Sequence, residues 1–571
     1  VSLRSLTSRR HLHLRRGPAL AGGVLALGLF AAVYPYVEGW YDLVRADTLF
    51  LFMVTAGIAA LPGWARAGRG PTGHARVAAG AAILALAFYC KQTGVIYVVL
   101  GGAIVLATAW RRVPVYVVTA AVVGLGGTAI LNVRTDGWFW VYVSKIHRAH
   151  DFNMDRFWKS FGNILLHFPA MTFVVVIALV VVTVTTVIEW RAKRSPAFLP
   201  QTEPLLVWSA AFAVSTVVGA VGWGTEFAHF NAYMPAFLHG AIAAGAALPA
   251  IHACARRFWG ERPHPELFTT GVTVAFALPL AITCLTHTWS PDKFVPAFRD
   301  EAAGDALIER IRSIEGEVWM PSHPWYLQLA GKTPRVHRMG IKDVTVRQPR
   351  VIEGLDDVLN RRRFSALILD ERDVHLYGEV PAVPRNYRLA LKLPENERPR
   401  LFTGAKIRPE TIWLPAIPSK PPPGARVLYD FEGSTWQGWQ RSGPAFGNAP
   451  VAAALPGQGL VLGATGTRFA SSMHGGDGMI GRITSSEIVL DMARITAKVG
   501  GAADENRIYL MINVDNEPVV TASVPQPGGG TLREVVLEIP EAVRGKTGRL
   551  LIVDESPTGH IDVDDVWAYA E

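Results

Sequence analysis

Long apolar runs fill the first half of the chain and stop near residue 290. They cover Pro18–Val37, Ala46–Pro62, Arg76–Tyr89, Gly94–Trp110, Val113–Leu131, Phe168–Trp190, Pro204–Trp223, Phe230–Ala253 and Leu267–Leu285. A helix crosses a bilayer with about 20 mostly apolar residues. The pattern therefore predicts an α-helical polytopic membrane domain, residues 1–290, with about nine transmembrane helices.

The second half has a different rhythm. Between residues 291 and 417, helix-like spacing (Ala302–Ile314, Glu353–Arg362) alternates with strand-like runs (Glu317–Met320, Ser365–Asp370). That pattern predicts a small α/β domain. Pro418 to Gly424 reads as a stiff linker, because successive prolines favour extended chain. Residues 425–571 then carry short β-like runs between Gly- and Pro-rich turns. They are Arg426–Phe431, Gly459–Leu462, Ser486–Leu490, Arg507–Val514, Pro518–Ser523, Glu534–Ile539, Arg549–Asp554 and His560–Trp567. Many short strands at regular spacing predict an all-β, jelly-roll-like sandwich.

Charge changes the picture only once it is divided. The chain of 571 residues carries a formal net charge of +9. Residues 1–290 hold a net of +12 and the remainder a net of −3. If the N-terminus lies in the cytoplasm and the runs alternate sides, 16 basic and four acidic residues fall inside, against seven of each outside. This asymmetry follows the positive-inside rule. The basic excess is thus a topology signal, and a nucleic-acid partner is not expected. Everything after Leu285 is placed outside the cytoplasm, and the cytoplasmic (inner) membrane is the expected location. Three cysteines exclude a disulfide scaffold.

Ionisable residues beside the bilayer are functional candidates. The first outside loop reads Glu38-Gly-Trp-Tyr-Asp42-Leu-Val-Arg45-Ala-Asp47. Its carboxylates suit a divalent cation, the one candidate cofactor, or a base toward an acceptor hydroxyl. The bland alternative is a solvated loop with a helix cap at Asp47. Lys91-Gln92 interrupts an apolar region at an outer helix end, where a lysine either meets a lipid phosphate or snorkels to the interface. The loop Asn132–His167 interleaves aromatic and basic residues, among them His147, Arg148 and His150, and suits an anionic lipid-linked ligand or an interfacial anchor. A fourth group, Glu226, His229, Asn231 and Tyr233, leads into a helix containing Pro235. The motif Ser322-His-Pro-Trp325 in the α/β domain reads as a structural turn. At the sandwich's ends, Asp430, Glu432 and Asp565 are candidate calcium ligands, with polar strand ends as the alternative.

Three short motifs carry a resemblance: Arg45-Ala-Asp47 opening a helix, Lys91-Gln92 at a helix end, and Asn231-Ala-Tyr233-Met-Pro235 entering a late helix. With Val318–Pro324 and Ala330-Gly-Lys332 in the domain that follows, the membrane half resembles the GT-C class of integral-membrane glycosyltransferases. The types concerned use polyprenyl- or dolichyl-phosphate sugars, like the protein mannosyltransferases and aminoarabinose transferases. The resemblance implies a polyprenyl-phosphate-linked sugar and membrane lipid as partners, and an extracytoplasmic glycan, lipid or protein as acceptor. It implies catalytic carboxylates at Asp47, Asp42 and Glu38. Arg45, Lys91, Gln92 and the two later loops would bind substrate. Members usually begin with a further helix and an acidic outside loop, so the resemblance also implies that the chain, which opens on Val1, starts after that loop.

The C-terminal region resembles β-sandwiches appended to fructan hydrolases and related sugar-binding modules, through Asp430-Phe-Glu432, Gly438-Trp439, Gly443–Gly447, Gly478–Ser485 and Ile561–Val566. The leading expectation is a membrane glycosyltransferase. The alternative is a non-catalytic, membrane-anchored carbohydrate-binding protein.

Overall fold

The computed structural model describes residues 3–61, 71–193, 199–260, 262–345, 352–370, 373 and 380–570. The chain divides into two compact units: Val1–Val295 with Phe402–Lys406, and Pro296–Leu401 with Ile407–Glu571.

The first unit is helical. In chain order its main helices are α1 (Leu3–Ala32), α2 (Ala46–Ala59), α3 (Pro71–Cys90), α4 (Gly94–Ala109), α5 (Val113–Ala121), α6 (Gly127–Arg134), α7 (Met154–Leu165), α8 (Pro169–Lys193), α9 (Glu203–Gly224), α10 (Met234–Trp259) and α11 (Pro265–Thr286). Among the described residues six helices are long and apolar enough to cross a membrane, and the apolar helices Gly17–Ala32 and Ala46–Ala59 are shorter. One of the six, Gly94–Arg134, is 41 residues long and absorbs two of the expected runs. Its chain turns at Ala109 (φ −155°, ψ 56°), where Trp110–Arg112 form a 3₁₀ turn. The Tyr116 hydroxyl then donates to the Val98 carbonyl, so α4 and α5 pack side by side. Among the described residues six helices meet the length and hydropathy of a span, against the nine expected. The first apolar run ends early as a helix, at Ala32 shortly before Pro35, since proline disfavours helix in the residue before it. The basic residues Arg66, Arg69 and Arg194 lie outside the described residues.

Small residues let the helices approach closely. A Cβ on Gly22 of α1 would sit 2.2 Å from the Gly245 carbonyl oxygen of α10, and one on Gly245 2.3 Å from that of Gly22. Close backbone contact is a usual device where lipid offers no hydrophobic drive between helices. A buried polar chain ties four helices together. Thr55 (α2) bonds His239 (α10), whose other ring nitrogen bonds Ser215 (α9), which in turn bonds Tyr97 (α4), at 3.2, 2.7 and 2.8 Å. Every polar atom of that ring and of its hydroxyl partners is satisfied, which fixes helix register as apolar packing alone would not.

The second unit contains the α/β domain and the sandwich. Helices α12 (Phe298–Ser313) and α13 (Glu353–Asn360) flank a four-stranded sheet of β1 (Glu317–Trp319), β2 (Phe364–Asp370), β3 (Tyr387–Lys392) and β4 (Pro409–Pro415). The strand order is β1-β2-β4-β3, with only β1 and β2 parallel. Beyond it, β5 (Ala425–Tyr429), β7 (Ala470–Ser471), β10 (Arg494–Gly501), β13 (Gly529–Glu538) and β15 (Ile561–Tyr569) form one sheet. The other holds β6 (Trp439–Ser442), β8 (Gly481–Ser485), β9 (Ile488–Val489), β11 (Ile508–Val514), β12 (Glu517–Ser523) and β14 (Thr547–Asp554). The core follows simple alternation: Ile508, Leu510, Ile512 and Val514 of β11 all point inward. Asp515 and Asn516 take left-handed φ values of 53° and 66°, as a tight hairpin between β11 and β12 requires. The expected Gly459–Leu462 strand is only a single bridge, Leu462 to Thr531. The proline-rich segment is pinned to the sandwich, with the Ser419 hydroxyl donating to Asp565 at 2.6 Å.

Candidate functional site

The site in the first unit grows from the turn after α1. Glu38 (φ 52°) and Gly39 (φ 64°) both take the left-handed conformation, which sends the chain sharply back toward α2. The short segment Phe402–Lys406 supports this turn, with the Gly404 amide donating to the Glu38 carbonyl at 2.7 Å. Arg45 is extended (φ −138°), so Asp47 falls in the first turn of α2, where a carboxylate meets the positive end of the helix.

Three donors converge on Asp47, whose carboxylate is 8% exposed. Lys91 Nζ reaches Oδ1 at 2.8 Å, Asn231 Nδ2 reaches Oδ1 at 2.9 Å, and Arg45 Nε reaches Oδ2 at 3.1 Å. Lys91 comes from the end of α3, and Asn231 from the 3₁₀ turn Phe230–Tyr233 that opens α10. Residues up to 184 positions apart therefore meet at one carboxylate. Two cations against one anion leave a net charge of +1. Lys91 and Arg45 remain 31% and 54% exposed, so both can meet a ligand without first breaking a buried pair.

Trp40 extends the network. The Arg45 guanidinium lies over its ring, 4.9 Å from the centroid, and its indole N–H donates to His229 Nδ1 at 3.1 Å. Glu38 Oε2 lies 3.0 Å from the same nitrogen. One ring nitrogen cannot accept from Trp40 and donate to Glu38 together, so a proton between His229 and Glu38 competes with the indole. Trp40 was not among the expected site residues. Its contacts to Arg45 and His229 are long-range or depend on the turn, so no local pattern in the sequence marks them.

The remaining expected residues divide. Asp42 accepts from the Tyr34 hydroxyl instead of joining Asp47. Gln92 sits in the turn between α3 and α4, its carbonyl accepting from the Val95 amide. His147 and Arg148 lie on the 3₁₀ turn His147–Ala149. The rings of His147 and His150 are 5.3 Å apart, and His150 lies 5.4 Å from Phe227. Glu226 caps this second loop, accepting from the Asp151 amide at 3.2 Å while its own amide donates to the Asp151 carbonyl. Tyr233 is fully buried against α7, its hydroxyl bonded to Ser160 and Asn163 at 3.0 and 3.2 Å.

At the sandwich the three candidate calcium ligands already have protein partners. Glu432 accepts from the amides of Thr467 and Arg468 and from the Thr467 hydroxyl. Asp565 is paired with Lys498 at 2.7 Å and accepts from Thr465 and Ser419. Asp430 caps the Glu432 amide at 3.2 Å. Among the described residues no group of three or more His, Cys, Asp or Glu side chains is placed to hold a metal ion.

The described residues therefore comprise a helical half with six membrane-capable helices, an α/β domain and an all-β region. No family profile matches the chain. It is 27% identical over 150 residues to an Aspergillus rugulosus protein named as a candidate glycosyl hydrolase, ecdE. That stretch is 25% of this chain and 21% of the relative's length. Among solved structures it is similar to the Archaeoglobus fulgidus oligosaccharyltransferase, solved with zinc and sulfate (10% identity, 97% of this chain and 86% of that one, TM-score 0.32). It is also similar to TmCBM61 bound to β-1,4-galactotriose (15% identity, 26% of this chain and 99% of that one, TM-score 0.21). A third is the K1 cleaved adhesin domain of Lys-gingipain from Porphyromonas gingivalis W83 (15% identity, 26% and 98%, TM-score 0.19). At these TM-scores the likeness assigns no residue a role.

Proposed function

We propose that this protein is a membrane glycosyltransferase that moves a sugar from a polyprenyl-phosphate carrier to an acceptor outside the cytoplasm. The observation that supports it is the meeting of Lys91, Arg45 and Asn231 on the buried Asp47. In this reading Asp47 positions the two cations and is not itself the base, because it is already held by three donors. The net positive charge faces the phosphate that leaves the sugar. Preorganised cations stabilise such a leaving group without a covalent nucleophile. Glu38, beside His229, receives the proton of the acceptor hydroxyl. The sandwich supplies a surface for a glycan acceptor.

The test is turnover by the purified full chain in lipid nanodiscs, with a panel of polyprenyl-phosphate sugars. Transfer to an acceptor that falls by about two to three orders of magnitude in Asp47→Asn supports the reading. Unchanged turnover in that variant would remove Asp47 from the site. Sugar binding with no transfer from any donor would favour the anchored binding protein instead.

A further inference from the structure

A second cationic site lies at the other end of the helical unit. Arg256 and Arg257 stand in the last turn of α10. Arg256 comes 22 positions after Met234, about 33 Å along the helix from the turn that carries Asn231. The apolar core of a bilayer is about 30 Å thick, so these arginines meet the membrane face opposite to Asp47. Exposed Trp190 and Phe258 mark the same level, as aromatics at a membrane interface do.

A cavity of about 310 Å³ opens there, walled by α1, by the segment around the 3₁₀ turn Pro200–Thr202 and by the end of α10. Its position follows from two glycines and two prolines. α1 and α10 run antiparallel, with Gly22 against Gly245 and, further along, Tyr36 against Phe237. Pro18 lies one turn before Gly22 and Pro249 one turn after Gly245, so both fall on the same side of the glycine contact. A helical proline gives up a hydrogen bond and crowds the turn before it. The two helices close at the glycines, and the cavity lies between them at the prolines.

Arg256, Arg257 and His252 line the cavity, and among the described residues no carboxylate does. The carboxylates that meet the arginines stand outside the wall: Glu266 is 3.5 Å from Arg256, and Glu189 holds Arg257. Arg256 stays 34% exposed, and a guanidinium has five N–H donors, more than one carboxylate engages. Two guanidinium groups beside one cavity suit a phosphate, whose oxygens match the planar fork. Cations also complement the negative end of α10, but that explains the arginines and not the cavity beside them. The rest of the wall includes Pro18, Pro249 and Ala253, apolar surface that a free anion does not use and the glycerol of a lipid does. The volume is near the small end of ligand cavities, about 300–1,000 Å³, which admits a headgroup and leaves the acyl chains in the bilayer.

We infer that this cavity binds the headgroup of an anionic phospholipid, with Arg256 and Arg257 taking the phosphate and the proline-lined wall taking the glycerol. The site needs nothing of the proposed transfer reaction, and its test does not measure transfer. The full chain in detergent micelles is titrated with phosphatidylglycerol, phosphatidylcholine or glycerol 3-phosphate, and adducts are counted by native mass spectrometry. One phosphatidylglycerol per chain is expected to bind ahead of any phosphatidylcholine. Arg256→Gln combined with Arg257→Gln is expected to weaken that adduct about thirtyfold. Gln201→Trp fills the cavity from its exposed rim and keeps both ion pairs. It is expected to weaken the adduct as well, with the melting temperature unchanged. Arg111→Gln combined with Arg112→Gln, a basic pair at the turn after α4 and outside the cavity, is expected to leave the adduct as it was. Equal binding of phosphatidylcholine overturns the inference, as does an undiminished adduct in Gln201→Trp or an equal loss in the Arg111 and Arg112 pair. Displacement of the lipid by equimolar glycerol 3-phosphate also overturns it, since the occupant is then a soluble phosphate ester.

Discussion

Asp47 and Asp565 are built from the same parts and end in opposite states. Each is a buried carboxylate beside a lysine, with further polar donors closing around it. Around Asp565 one cation balances one anion: Lys498, itself 26% exposed, joins the neutral hydroxyls of Thr465 and Ser419 on a side chain with no exposure. Around Asp47 the donors are shared, and the two cations keep part of their surface in solvent. The first arrangement is a structural bolt and the second retains capacity for an anion. Burial of an acid therefore says little about function until its partners' remaining valence is counted.

The comparison can be broken from either side. The largest expected effect is on stability. Lys498→Ala leaves Asp565 buried without its cation, a loss of about 3 kcal/mol for such a pair, seen as a lowered denaturant midpoint of the second unit. Transfer activity should be retained in the folded fraction. Lys91→Ala should do the reverse, lowering turnover by at least about a hundredfold while leaving the denaturant midpoint of the second unit in place.

A smaller effect is expected from pH. Burial pushes Asp554 up to about 6 from an ordinary 3.8, even as Ser472 and the Ser556 amide bond its charged form. The folded state then holds a proton that the unfolded chain releases near 3.8. The contribution is complete below that value and lost as pH rises through about 6. The melting temperature of the second unit should fall between pH 4 and pH 7, with a shallower fall in Asp554→Asn. The smallest effect is expected from Tyr233→Phe. It removes the bonds to Ser160 and Asn163, costs about 1 kcal/mol, and leaves the KM for the donor unchanged.

Much of the fold was legible, because apolar run length and strand alternation are direct records of burial. Where the pattern failed, the cause is visible. β10 was missed because it is buried on both faces and reads Arg-Ile-Thr-Ala-Lys-Val-Gly-Gly, without clean alternation. β3 and β4 are short strands whose pairing is non-local. At the site, motif resemblance named Arg45, Asp47, Lys91 and Asn231, and the other three side chains bond Asp47. Tyr233 was grouped with Asn231 by adjacency, but residues two apart on a helical turn face different sides. Asn231 turns to Asp47 and Tyr233 to α7. Asp42 was grouped with Asp47 by charge, although the Tyr34 hydroxyl satisfies it first. The Ser322–Trp325 motif read as a plain turn because its partner, Asp370, lies 47 positions away from His323.

The contact between Gly22 and Gly245 has a mechanical consequence. It lies ten residues before the end of α1 and eleven after the start of α10, about 15 Å from the end of one helix and about 16 Å from the start of the other. The two glycines act as a fulcrum with arms of nearly equal length. A single methyl group there would wedge the helices apart and swing the two halves of the site in opposite directions, far from any residue that touches substrate.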